Sequence, residues 1–385
     1  MRLTILGGGG FRVPLIHRAL LRDPLAGHVV LHDTDPGRLA AIERVLAAQA
    51  RGAAAAPRVT ATTDLTAALT GADVVFSAIR VHGLAGRVLD ERIAIAEGVL
   101  GQETVGAGGL SFGLRTVPVA TGIARRIAAV APRAWVVNFT NPAGLVTEAM
   151  AAHLGDRVIG ICDSPAGLCR RFAPGDPAPD YAGLNHLGWL RAAGRSIPNE
   201  YLHYYEDPPG PARGPTRGEF LQEQQSQLYR RLADPHADPL SAWDGVRAER
   251  DATYFAAGEG SGGYEDIALA LMRALTGGGP ARLILNVRNA GTLPHLPADA
   301  VVEVSCTADT DGARPRPVTP LDAGQAALTA AVKASERAVL EAAATGSAAA
   351  ARRAFAIHPL VASDAVAGRL LAAYRRAFPE LAYLR

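Results

Sequence analysis

Three cysteines in 385 residues, Cys162, Cys169 and Cys306, are too few for a disulfide framework, which excludes the small cross-linked secreted folds and fits a reducing cytoplasm. Long hydrophobic runs are lacking too. None approaches the roughly 18 apolar residues that suggest a membrane span, and the apolar stretch in "MRLTILGGGG" is too short for a signal peptide. Nor is there an excess of charge of one sign. A net charge of +2 gives no reason to invoke nucleic acid or an anionic membrane, so basic residues must act locally. No internal repeat is visible. A soluble, cytoplasmic protein is expected, and its length makes two domains the natural reading.

What the chain does have is alternation. Short apolar runs, "LTIL", "HVVLHD", "DVVFSAI", "AWVVNFT" and "RVIGIC", are separated by Ala-rich helical stretches such as "RLAAIERVLAAQA". Strand–helix alternation of this kind predicts a parallel sheet covered by helices on both faces. After about residue 190 the pattern changes. A polar helix in "QEQQSQLYRRLADPHADPLSAWD" runs into a Pro- and Asp-rich connector, followed by a helix in "YEDIALALMRALTGG" and strands in "RLILNVRN" and "AVVEVSC"; helices close the chain over 320–385. The prediction is an α/β protein with a Rossmann-type parallel-sheet domain over 1–190 and an α+β domain over 191–385.

The first strand runs into glycines and then a helix with Pro14 near its first turn, where proline is tolerated. Gly7, Gly8, Gly9 and Gly10, with Phe11 and Arg12, would let the backbone approach a pyrophosphate at the helix N-terminus. Asp33 closes the second strand in "LHDTD", at the distance expected of a residue that bonds a ribose hydroxyl. It favours NAD over NADP, although Arg38 stands close by. Arg12 occupies the place of the third glycine of GxGxxG, and a tight turn with no ligand is the plainer alternative. "VIGICDSPAG" raises a second question, because it ends an apolar run on Cys162 followed at once by Asp163. Free cysteine is commonly a small buried hydrophobe, and Asp163 is a good helix-capping residue two positions before Pro165.

The stretches "GGGGFRVPLI", "VHGLAGRVLDERIAI", "GVLGQETVGAGG", "NFTNPAGLVTEA", "GICDSP", "GLNHLGW", "IPNEYLHYY", "NVRNAG" and "HPLV" together resemble glycoside hydrolase family 4. These are NAD- and metal-dependent glycosidases that include 6-phospho-β-glucosidases. The resemblance runs from residue 1 to about 365. It implies a Rossmann domain followed by a C-terminal domain like that of lactate and malate dehydrogenases. It also implies an exceptional chemistry, since most glycosidases flank the bond with two carboxylates. In this family NAD takes hydride from C3 of the sugar, a base removes the C2 proton, and the C1 substituent is eliminated.

The resemblance assigns Cys162 and His186 as ligands of Mn²⁺ or another divalent metal. It assigns Tyr264 as the base and Glu103 in "GQET" as the residue that raises the base's strength; because "GEGSGGYED" departs from the family's usual approach to that Tyr, Tyr254 is the fallback. Asp163 is the acid for the departing oxygen in the α-type enzymes, so cap and acid both stand. Arg87, Asn141 and Arg288 match positions that contact substrate, and guanidinium groups suit a phosphate. The expected partner is a small phosphorylated sugar glycoside, β favoured and α open, bound by a homodimer or homotetramer. A lactate- or malate-type dehydrogenase and a silent NAD-binding regulator are the rival readings. Arg12, His82 and Arg217 have no further role here.

Overall fold

The structure, a computed structural model, describes residues 1–206, 214–256, 263–361 and 363–385. Its frame is one sheet. The first six strands are β1 Arg2–Leu6, β2 His28–His32, β3 Arg58–Thr62, β4 Val74–Ser77, β5 Trp135–Asn138 and β6 Val158–Gly160. They pair in parallel in the order β3-β2-β1-β4-β5-β6, the arrangement of a dinucleotide-binding sheet. Central strands β1 and β4 are almost wholly buried because their residues are apolar on both faces. Edge strand β3, "RVTAT", carries no large aliphatic run and is only half-buried, which is why periodicity did not disclose it.

The remaining strands are β7 Asp180–Leu184, β8 Leu187–Ala192, β9 Arg195–Pro198, β10 Ala281–Arg288, β11 Val301–Asp309 and β12 Gly312–Pro315. They are antiparallel and continue the same sheet as β6-β10-β11-β7-β8-β9, with β12 on β11. Thus β7, within the span assigned to the first domain, pairs with β11 of the second, and β8 crosses the assigned boundary at 190. The sheet changes character at β6 and β10, where Asn286 faces Gly160. The closing helices, Ala323–Thr345, Ala348–Ala356 and Asp364–Ala377, pack back onto the 25-residue helix Gly106–Val130 of the first half. Phe355, Tyr374 and Phe378 are fully buried there, each contributing about 1.5–3 kcal/mol through apolar burial. The helix Pro239–Ala256 begins inside the stretch read as a connector, so a second helix follows Arg217–Ala233 directly.

Candidate active site

In an open parallel sheet the strand ends converge on a crevice at their carboxyl side. Here that crevice is a cleft of about 660 Å³. Each central strand delivers residues to it within three positions of its end: Gly7 from β1, Asp33 from β2, Arg80 from β4, Asn141 from β5 and Cys162 from β6. Of these Arg80 alone was not predicted; the other predicted residues on the wall are Gly10, Phe11, Arg12, Arg38, Arg87, Glu103, Asp163 and His186.

The glycine turn is held by the backbone. The Gly7 and Gly8 N–H groups both donate to the His32 carbonyl, at 2.9 and 2.8 Å, and Gly10 donates to Gly7 at 2.9 Å. Gly7 has φ +81°, and a Cβ there would stand 2.5 Å from the Ala78 carbonyl oxygen. Gly8 and Gly9 lie behind the wall, where a Cβ would press on Leu31 and on Arg38 respectively. The Gly9 N–H donates to Asp33 at 3.0 Å, and Tyr229 donates to the Gly9 carbonyl at 2.5 Å. Arg38 stacks over Tyr229 with its guanidinium carbon 4.2 Å from the ring centre and donates to Gln225. Turn, acid and helix N-terminus fit a dinucleotide.

Cys162 and His186 meet at 3.4 Å between Sγ and Nε2. Both are buried, and His186 sits at the β7–β8 corner with φ +63°, an uncommon conformation for a side-chain-bearing residue. Burial holds the imidazole down at about 4, with Asp163 and Glu103 opposing, so it is neutral at physiological pH. Burial, then the Glu303 and Asp163 charges, pushes the Cys162 thiol well above its ordinary value. Among the described residues no cluster of three His, Cys, Asp or Glu side chains forms a cage. Two protein donors on a cleft wall suit a divalent ion that completes its sphere with substrate and water oxygens. The ring of Tyr201, which no reading of the motifs had assigned, stacks on His186 with centroids 4.0 Å apart. Its only signal was its place in "IPNEYLHYY".

A second corner is ionic. Glu103 accepts from Arg80 at 2.6 Å and from Arg87 at 2.8 Å, and Arg87 also holds Glu91 at 2.7 Å. Burial would raise the Glu103 carboxyl, but the two guanidinium groups outweigh it and hold it at about 2. Asp163 occupies the N-cap position of the helix Ser164–Phe172, yet its side chain makes no cap bond. It faces Arg12 instead, at 3.6 Å.

Besides Gly8 and Gly9, two assignments with a chemical role lie off the wall. Tyr264 is buried and donates to the Arg12 carbonyl oxygen at 2.7 Å, its ring stacked on Phe139 at 4.4 Å and under the Arg12 guanidinium at 5.0 Å. Burial raises its phenol, with Arg12 opposing. The side chain of Tyr254 lies outside the described residues. Arg288 lies away from the cleft. It is 42% exposed and pairs with Asp156 at 3.0 Å. Because β10 runs antiparallel to β6 with Asn286 opposite Gly160, Arg288 falls beside the start of β6, at the end of the sheet away from Cys162.

A nucleotide turn and a buried thiol–imidazole pair sharing one strand-end cleft define an enzyme of the dinucleotide-binding α/β class. Comparison with known proteins makes that class specific. Residues 2–174 match the family 4 glycosyl hydrolases and residues 192–361 match that family's C-terminal domain. The chain belongs to this family, and it is a glycosidase. It is 31% identical to the 6-phospho-β-glucosidase of Escherichia coli (strain K12) over 383 residues, which cover 83% of this chain and 82% of that one. A 6-phospho-α-glucosidase from gut microorganisms, solved with NAD and Mn²⁺, superposes with a TM-score of 0.84 at 24% identity over 99% of this chain and 98% of that one. The malate dehydrogenase of Plasmodium falciparum shares the fold more distantly, with a TM-score of 0.55 at 12% identity over 89% of this chain and 98% of that one.

Proposed function

We propose that this glycosidase hydrolyses 6-phosphoglucosides, the β-anomer favoured, using NAD and a divalent metal such as Mn²⁺. The observation that carries the reading is the Cys162–His186 pair on the same cleft wall as the glycine turn and Asp33. The full-length likeness to a 6-phospho-β-glucosidase supports the substrate class and the anomer. The α-anomer is the second reading, because Asp163 leaves its cap position unused and faces the cleft.

When bound, the dinucleotide and the metal supply a hydride acceptor for the sugar C3 and polarisation of the C2 and C3 oxygens. The chain's own residues bind and orient. The Gly7–Gly10 turn and Asp33 would hold the pyrophosphate and ribose, and Cys162 and His186 the metal. Asn141 and Arg87 stand on the wall where the sugar must lie, with Arg80 beside Arg87 as a further cation for a phosphate. Tyr264 takes the C2 proton in this reading, which requires its hydroxyl to leave the Arg12 carbonyl and turn to the cleft. Positive charge close by lowers a phenol's pKa, and Arg12 over the ring acts in that direction. Asp163 delivers a proton to the departing oxygen. We place the enzyme in the cytoplasm, as a homodimer or homotetramer, which light scattering would test; its three cysteines are free thiols.

The deciding experiment offers chromogenic α- and β-glucosides, with and without 6-phosphate and deuterated at C2, in NAD⁺ and Mn²⁺. The 6-phospho-β-glucoside should turn over fastest, lose its label to water and accumulate no NADH. Full label retention would exclude the elimination route, and steady NADH accumulation would point to the dehydrogenase.

A further inference from the structure

The His186 ring poses a problem of orientation. A metal-binding histidine ordinarily donates its second ring nitrogen to a carboxylate or carbonyl, which fixes the ring. Here the His186 Nδ1 is buried with no hydrogen-bond partner among the described residues. Besides the Cys162 contact at Nε2, two things hold the imidazole: the left-handed corner of its own backbone and the Tyr201 ring stacked on it. Both trace back to one side chain.

Glu303, in the middle of β11, is fully buried. Its carboxylate accepts from Asn286 at 2.8 Å, from Asn185 at 3.2 Å and from Tyr181 at 3.2 Å. Asn185 is the residue before His186, and its side-chain Oδ1 accepts the Ala143 N–H at 3.0 Å, two positions after Asn141. The Tyr181 hydroxyl accepts from Asn199 at 3.2 Å, and the Asn199 side chain accepts the Tyr201 N–H at 3.2 Å. Asn286 stands opposite Gly160, two residues before Cys162. The sheet makes room for this cluster by omitting side chains. A Cβ at Gly160 would stand 2.7 Å from the Asn286 Cβ, and one at Gly188 would stand 2.5 Å from the Tyr181 hydroxyl.

A carboxylate buried among three neutral donors is a costly way to join strands, since an apolar core would join them without desolvating a charge. What it accomplishes is convergence: the segments bearing Cys162, His186, Asn141 and Tyr201 all end on it. We infer that Glu303 is a positioning residue that sets the spacing and ring orientation of the Cys162–His186 pair for a divalent cation. The inference rests on the proposed reading of that pair as the metal ligands.

The test measures Mn²⁺ affinity by electron paramagnetic resonance and NAD⁺ affinity by fluorescence on the full-length protein, with no turnover needed. Outer-sphere partners of metal ligands typically account for 10- to 100-fold in affinity. Glu303→Gln should weaken Mn²⁺ by that amount and leave NAD⁺ binding within about twofold. Asn185→Ala cuts only the arm that reaches His186, and it decides the matter if Glu303→Gln fails to fold. Its Mn²⁺ affinity should fall about tenfold or more. Wild-type Mn²⁺ affinity in a folded Glu303→Gln, or in Asn185→Ala, would overturn the positioning role. If Cys162→Ser also bound Mn²⁺ like the wild type, the ligand assignment itself would fail, which separates the two outcomes.

Discussion

The cleft has two corners with opposite electrostatics. Around Glu103 the chain buries charge with counter-charge: two guanidinium groups keep that carboxyl at about 2. Around His186 burial is the largest influence on each ionisable group. The thiol of Cys162 rises, the imidazole falls to about 4, and Glu303 is pushed up to about 7. The first corner stays ionic whether or not anything binds. The second is neutral by default and suits the arrival of a cation, because a neutral imidazole can ligate at once and a thiol gives up its proton to a metal.

Removing the ligands breaks this comparison most severely. Cys162→Ser and His186→Ala should each lower metal-dependent kcat/KM by about 10³-fold or more, of the order expected of lost Lewis-acid polarisation. NAD⁺ binding should persist, because the turn and Asp33 are held by other strands. Near-normal turnover of Cys162→Ser across Mn²⁺ concentrations would contradict the assignment.

The next effect is on stability, and its sign differs between the corners. The folded Glu103 pKa of about 2 lies below its ordinary 4.5. Its contribution, about 3 kcal/mol, is present above pH 4.5 and lost as pH falls towards 2. Glu303 is raised from 4.5 to about 7, so its contribution is full below pH 4.5 and lost as pH rises through 7. Urea unfolding of the metal-free protein against pH should show both slopes. Glu103→Gln should remove the acid-side slope and destabilise by roughly 3 kcal/mol, because it leaves Arg80 and Arg87 short of an anion. Glu303→Gln should flatten the slope between pH 4.5 and 7. Identical slopes in wild type and variants would show that the two carboxyls do not differ.

Arg288 sharpens the contrast by lying outside both corners. Its exposed pair with Asp156 is worth about 0–1 kcal/mol. Arg288→Ala should shift stability within that range and reduce turnover of phosphorylated and non-phosphorylated substrates alike by less than about twofold. A selective loss of the phosphorylated substrate would return Arg288 to the site.

Much of this cleft was legible before folding. The five parallel strands with strong apolar runs announced themselves, and residues just beyond such strands gather at one crevice as a matter of topology. That is why Asp33, Asn141 and Cys162 could be placed from motif and position. What stayed hidden was set by pairing and direction. β3 and the β7–β9 strands lack the long aliphatic runs that mark a core strand, Tyr201 stood in a matched stretch without a role, and Arg80 fell between the quoted stretches. The reading of Arg288 as an arginine within an apolar strand was correct about the strand. It missed the strand's direction, which depends on a partner 126 positions away in the chain.

By itself, then, the sequence determined the alternation that builds the parallel sheet, the glycine turn with its acid, and the residue types able to hold a metal and a nucleotide, because these depend on local spacing and side-chain chemistry. Only the tertiary structure decided that Cys162 and His186 lie 3.4 Å apart, that Asp163 pairs with Arg12 in place of capping its helix, and that Tyr264 rests against the Arg12 carbonyl. Those contacts join elements remote in the chain, and their geometry follows from strand order, register and burial, which no local pattern records.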